Sequence, residues 1–154
     1  MRFFICRNDS EIKASCPNFI GIVSTGQKGE NSDMKVGIVG GGKVGSCLAE
    51  YLKAVGQLGA ITGSSAEHSK ELAEKFAVAY CDNNKLVELN DVILITVPDR
   101  SIGTVAQAIA KGNISLQKKI FLHCSGSLGL EPLACLKDCG ALVGSLHPLQ
   151  SFAG

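Results

Sequence analysis

The chain has 154 residues, 45% hydrophobic and 19% charged, with 15 Lys and Arg against 14 Asp and Glu and a formal net charge of +1. That is enough chain and enough apolar content for one ordinary domain with its own core, and it excludes a disordered tail. With balanced charge, no Lys/Arg cluster and no apolar run near the about 18 residues that span a bilayer, neither nucleic acid nor membrane is expected as a partner, and a cytoplasmic location is.

Residues 1–33 differ from the rest of the chain. They hold no sustained period of 2 or 3.6 and end in the turn-rich stretch "STGQKGENSD". The opening apolar run is cut short by Arg7, Asn8, Asp9 and Ser10, too soon for a secretory core, and Asp9, Glu11, Glu30 and Asp33 do not suit a mitochondrial presequence. These residues are expected to be a poorly ordered extension, with the domain proper beginning at Met34.

From Met34 strand and helix signals alternate. "MKVGIV" (34–39) is short, apolar and β-branched. The next segment, 42–56, carries Val44, Leu48, Tyr51, Leu52 and Val55 at helical spacing, with Gly56 as its stop. A strand is expected at 58–63, a helix capped by Ser65 at 65–76, a short strand at 78–80 and a short helix at 84–89. "DVILITV" (91–97) is apolar on both faces, as a buried parallel strand is. Helix 101–112, strand 119–125, helix 129–140 and strand 141–147 complete the series. Successive β-α steps in one direction require right-handed crossovers, so the expected architecture is a doubly wound parallel sheet between two helical layers.

The first strand runs into Gly40-x-Gly42-x-x-Gly45, and a helix comes next. In that context the pattern predicts a dinucleotide site. Gly40 lets the chain turn, Gly42 lets a diphosphate approach the backbone, and Gly45 lets the helix pack closely. The stretch Gly40, Gly41, Gly42, Lys43, Val44 and Gly45 is the expected cofactor loop, its helix-start amides facing the anion. After the second strand come Thr62, Gly63, Ser64 and Ser65, with no acid until Glu67. Small hydroxyls can donate to a 2′-phosphate that a carboxylate would repel, so NADP is favoured and NAD is the alternative. His68 and Lys70 could add positive charge, and helix capping is the plain role for the serines. Val97 and Pro98, at the end of the fourth strand, are expected as an apolar wall for the cofactor, whereas Asp99 is as well explained by strand termination.

Two stretches lie beyond later strands, "HCSGSLG" (123–129) and "GSLHPLQSF" (144–152). His123, within its strand, reads as a core histidine. Ser125 and Ser127 occupy a βα turn, where a hydroxyl could meet substrate or cap the next helix. His147 leaves the last strand fixed by Pro148, and an imidazole there suits proton transfer coupled to hydride transfer.

Seven cysteines are present, at 6, 16, 47, 81, 124, 135 and 139, and none forms a C-x-x-C pair. Cys135 and Cys139 share a helix face, yet small buried hydrophobes in a reducing compartment explain the set, and no metal site is expected.

"VGIVGGGKVGSCLA", "ILITVPD", "LHCSGSLGLEPLA" and "GALVGSLHPLQSFAG" together resemble the N-terminal half of a family of oxidoreductase-like proteins, in which a Rossmann-like domain precedes a C-terminal domain of unknown function. The resemblance covers about residues 34–154. More distantly the chain is similar to pyrroline-5-carboxylate reductase and prephenate dehydrogenase. The latter resemblance implies proton-handling roles for Ser125 and His147, with Ser127 competing with Ser125. The family implies a helical C-terminal domain that closes the substrate cleft and often builds a homodimer; this sequence lacks it, and so reads as truncated. It also has Gly-Ser-Ser where the family commonly has an Arg-containing loop. The resulting expectation is the NADP-binding domain of an oxidoreductase that moves hydride to or from a small carbonyl, imine or alcohol substrate. A non-catalytic dinucleotide-binding module or remnant is the alternative.

Overall fold

The computed structural model describes residues 3–7, 10–12 and 34–148, with side chains for 34–146. Among the described residues eight strands form one sheet, in the order β2-β1-β8-β7-β6-β3-β4-β5. They are β1 Phe3–Arg7, β2 Ser10–Ile12, β3 Val36–Val39, β4 Leu58–Thr62, β5 Ala79–Tyr80, β6 Val92–Ile95, β7 Ile120–His123 and β8 Leu142–Pro148. The strands from β3 onward pair in parallel with one another. Between them run α1 Lys43–Ala54, α2 Ala66–Lys75, α3 Asn83–Leu89, α4 Asp99–Ala110, a 3-10 turn Glu131–Leu133 and α5 Ala134–Asp138.

The doubly wound sheet is therefore present, and its chain order explains it. From β3 the chain moves outward through α1, β4, α2 and β5, then returns through α3 to β6 on the other side of β3 and moves outward again. Side-chain alternation splits the core accordingly. Val36, Ile38, Val92 and Leu94 pack with Leu48, Leu52, Leu72 and Phe76 of the α1–α2 layer. Val39, Ile93, Ile95 and Phe121 pack with Leu86, Ile102, Ile109 and Leu136 of the opposite layer. All four residues of β3 and of β6 are buried, which is why these segments read as continuous apolar runs.

Helix boundaries obey local chemistry. α1 buries Gly45, Leu48, Ala49 and Leu52 and ends where Gly56 takes φ +74° and donates to Lys53 O. α3 starts on Asp82, whose Oδ1 accepts the Lys85 N–H at 2.9 Å. The helix expected over 129–140 is shorter than its pattern. Pro132 has no N–H to donate, so the segment opens as the 3-10 turn and only Ala134–Asp138 is α-helical. α4 starts earlier than expected, at Asp99, with Pro98 at the cap.

Residues 1–33 lack a period, yet two segments of them form strands. β1 lies antiparallel to β8, Phe3 opposite Pro148 and Arg7 opposite Gly144, and β2 continues the edge. Neither segment offers a period to read: β2 has three residues, and Phe3–Cys6 of β1 is a continuous apolar run without alternation. The rest of the expected extension, and residues 149–154 of the family motif, lie outside the described residues.

Phe121 is the largest of the fully buried side chains and stands in the middle of the α3–α5 core. Phe121→Ala is expected to lower the free energy of unfolding by about 3–5 kcal/mol, read from the midpoint of a urea titration.

Candidate functional site

The parallel sheet reverses direction of winding between β3 and β6, so the loops leaving those two strands diverge and open a crevice at the carboxyl edge. A cleft of about 430 Å³ occupies it, lined by Gly40, Gly41, Gly42, Lys43 and Val44 on one side, Ser64, Ser65 and His68 on another, and Thr96, Val97 and Pro98 on the third. Nine of the ten residues expected to bind cofactor thus meet in one place; the tenth, Gly45, lies behind the loop.

The bend from β3 into α1 is fixed by bonds to both neighbouring strands. Gly40 N–H donates to Thr62 O at 2.7 Å, and Thr96 N–H donates to Val39 O at 2.8 Å. Thr96 Oγ1 lies 2.9 Å from Gly40 O and 3.1 Å from Val39 O, so its proton is shared between the two carbonyls. Gly40 has φ +115°, and a Cβ there would meet Thr96 Oγ1 at 2.8 Å. A Cβ on Gly45 would collide with Gly40 O and press Thr96 Oγ1 at 2.7 Å. A Cβ on Gly42 would meet nothing within 4 Å. The first two glycines therefore answer to the protein's own packing. Gly42 does not; its missing side chain leaves open the space above the first turn of α1, where no side chain caps the helix. Free N–H groups and the positive end of the helix dipole face that space, which suits an anion such as a diphosphate.

On the α2 side, Ser65 holds the N-cap position but makes no side-chain cap bond. Its hydroxyl is thus not committed to capping, the plain role its position suggests. His68 reaches the same cleft. A second well of about 470 Å³ adjoins the first across Ser64 and Val97, with Thr62, Asp82, Asn83 and Thr104 among its walls. Sequence reasoning missed this well, because its walls come from four separate elements.

Beyond Pro98 a different cluster forms. Ser125 Oγ lies 2.9 Å and Ser127 Oγ 2.8 Å from the same oxygen, Asp99 Oδ2. Ser125 Oγ also accepts the N–H groups of Ser127 and Leu128, each at 3.2 Å. Beneath it, His123 is fully buried; Ser125 N–H donates to its Nδ1 at 3.2 Å, so Nδ1 is the acceptor and Nε2–H donates to Gly129 O at 2.7 Å. Ser125 itself is 4% exposed, whereas Ser127 and Asp99 are open to solvent. His147 has its backbone in β8, opposite Phe4, and its side chain lies outside the described residues. Asp99 is the residue the sequence undervalued. Only its position at the carboxyl edge of β6 hinted at it; its partners are 26 and 28 residues away.

Cys124, between His123 and Ser125, has its thiol pushed up to about 12 by burial, so it stays protonated at neutral pH. Among the described residues no group of three or more His, Cys, Asp or Glu could hold a metal ion, and no helix is long and apolar enough to cross a membrane.

The Ser127 hydroxyl first, and the Ser125 hydroxyl second, hold the Asp99 carboxyl below its ordinary range. A carboxyl depressed in the folded state adds stability above its unfolded pKa and loses it as pH falls through the folded value. Ser127→Ala is expected to move the Asp99 titration up toward the ordinary range, read from its side-chain carboxyl carbon by NMR.

The model of the Rossmann-like domain family matches residues 23–148. No curated protein matches the chain significantly. Similar solved structures include an imine reductase of Aspergillus terreus solved with NADPH4, at TM-score 0.66 and 17% identity over 77% of this chain and 42% of that one. Another imine reductase, of Myxococcus stipitatus, was solved with NAD+ and gives TM-score 0.64 and 17% identity over 77% and 42%. The UDP-N-acetylglucosamine 3-dehydrogenase GnnA of Acidithiobacillus ferrooxidans gives TM-score 0.55 and 21% identity over 69% and 34%. The chain spans under half the length of these structures. With the winding order, the glycine bend and a family model over most of its length in agreement, the chain belongs to the Rossmann-like domain family.

Proposed function

We propose that this chain is the cofactor-binding part of an NADP-dependent oxidoreductase, moving hydride between a nicotinamide and a small carbonyl, imine or alcohol substrate. The observation that carries the reading is the open position at Gly42, above unsatisfied helix amides and inside a cleft of about 430 Å³. The residues there fit a dinucleotide. Gly40–Val44 would hold the diphosphate, Val97 and Pro98 would back the nicotinamide side, and the well beyond Ser64 would take the adenosine. The bound cofactor supplies the hydride chemistry; the chain supplies placement.

The preference for NADP rests on the loop after β4. Thr62–Ser65 brings no carboxylate, and Ser64, the uncapping Ser65 hydroxyl and His68 all face the cleft. Each can donate to a 2′-phosphate, and none would repel it. His147 is the proposed general acid or base. Cofactor-bound solved relatives in the fold family, one with NADPH4 and one with NAD+, are consistent with either dinucleotide at such a cleft.

Thermal unfolding of the full chain with saturating NADP, NAD or S-adenosylmethionine tests the reading. At a concentration ~100 times its dissociation constant the proper ligand adds ~2.7 kcal/mol, a rise of roughly 5–10 °C. NADP is expected to give that rise and to exceed NAD. A flat response to all three would end the proposal. Gly42→Ala is expected to leave the ligand-free melting temperature within about 1 °C, since its Cβ meets no protein atom, and to abolish the NADP response. Gly45→Ala is expected to lower the ligand-free stability itself, by about 1–3 kcal/mol, because its Cβ strikes Gly40 O.

A further inference from the structure

The cluster of Asp99, Ser125, Ser127 and His123 lies at the carboxyl edge of β6 and β7, next to the wall formed by Val97 and Pro98, and a dinucleotide alone does not account for it. Its protons can be counted. An ionised carboxylate only accepts, so the hydroxyl protons of Ser125 and Ser127 both point at Asp99 Oδ2. The N–H groups of Ser127 and Leu128 point at Ser125 Oγ, and the His123 Nε2 proton points at Gly129 O. Ser125 is buried and has no proton to offer a ligand. What the cluster's side chains turn outward are acceptors only: Asp99 Oδ1 and the remaining lone pairs of Ser127 Oγ, both on exposed residues.

A carbonyl oxygen brought to such a place would meet acceptors with no proton between them, and each unmade bond costs the desolvation of its atom. An alcohol could donate one proton but carries no charge to match the carboxylate. A protonated nitrogen brings both. We propose that Asp99 and Ser127 receive the reacting group of the substrate and that this group is a cationic nitrogen, the iminium or ammonium member of an imine–amine pair. The inference rests on the oxidoreductase reading and narrows its substrate class. In the reducing direction the hydride supplied by the reduced nicotinamide, with its two electrons, forms the new C–H bond at the iminium carbon. The π pair of C=N withdraws onto nitrogen and cancels its charge, and the cofactor leaves oxidised. The nitrogen keeps the proton it arrived with, so Asp99 need neither give nor take one. Its part is to favour the protonated, electrophilic form of the imine by charge, while Ser125 and the buried His123 are positioning residues that hold the carboxylate.

The test uses the full chain with saturating NADP+ and three five-membered rings as probes: pyrrolidine, which is a cation at neutral pH, tetrahydrofuran, which only accepts, and cyclopentanol, a neutral donor. Binding is read from amide shifts of residues 99 and 125–128. Pyrrolidinium is expected to bind the native chain about tenfold or more tighter than either neutral ring, the margin of a charge-assisted bond. Asp99→Asn is expected to erase that margin, and Ser127→Ala, which keeps the charge, to reduce it in part. Equal binding of the three rings to the native chain would overturn the inference, as would an Asp99→Asn chain that still prefers the cation. If Asp99→Asn does not unfold cooperatively, the native chain and Ser127→Ala decide. Failure of NADP+ to stabilise the chain would count against the cofactor reading; stabilisation by NADP+ without a preference for pyrrolidinium would sink only the narrower claim.

Discussion

The cleft at the carboxyl edge depends on one bend. Gly40 must take a φ open almost solely to glycine, its N–H must reach Thr62 O, and its carbonyl must accept from Thr96. Those bonds tie the start of α1 to β4 on one side and to β6 on the other. They hold the first turn of the helix above the place where the sheet's winding reverses, so its unsatisfied amides face the crevice and not a neighbouring strand. A side chain at Gly45 would lift the helix away from Gly40 O and loosen the whole arrangement. The site is thus a consequence of packing in which two glycines make room for the protein, while the space a side chain would take at Gly42 is filled by no protein atom.

The same edge also carries a polar construction with a different logic. Where the cleft is lined by helix-start amides and hydroxyls, the Asp99 cluster uses its protons internally. Its base is the buried His123, pinned between the Ser125 N–H and Gly129 O. A fully buried imidazole with both nitrogens engaged fixes the exit angle of β7, and through it the turn that carries Ser125 and Ser127. A single carboxylate oxygen then joins that turn to the first residue of α4. The wall that backs the cleft, Val97 and Pro98, leads directly into that residue. The two halves of the edge are therefore mechanically continuous although their chemistry is opposite, one donating and one accepting.

Much of this was legible in the chain itself. The alternation of strand and helix from Met34 onward could be read because buried parallel strands and amphipathic helices have distinct periods, and each observed element falls within a few residues of its pattern. The glycine loop could be read because its spacing is tied to a strand before it and a helix after it. The rest was hidden for physical reasons. Pro132 shortened a helix whose apolar spacing looked longer, since spacing reports a face and not a hydrogen-bond ladder. β1 and β2 show no period because one is a short unbroken apolar run and the other has three residues. Asp99 was indistinguishable from a strand-ending aspartate because its meaning lies in two serines distant in sequence, and no local pattern encodes a contact across a crossover.

The chemistry open to the site is set by which groups can change charge there. Cys124 stands between His123 and Ser125 but is held as a thiol by burial, so covalent catalysis through sulfur is closed to it at neutral pH. Asp99 is shifted the opposite way and stays a carboxylate, so it is a poor acid near neutrality and a steady source of negative charge. Ser125 is both buried and fully bonded, which removes it as a nucleophile. With the Cys124 thiol and the Ser125 hydroxyl set aside as nucleophiles and Asp99 held as a carboxylate, what the cluster offers is binding by charge and orientation. That is the help the proposed hydride transfer would need from its protein: the bond-making electrons would come with the cofactor, and the chain would have only to set the acceptor carbon in line and favour one charged form of the substrate.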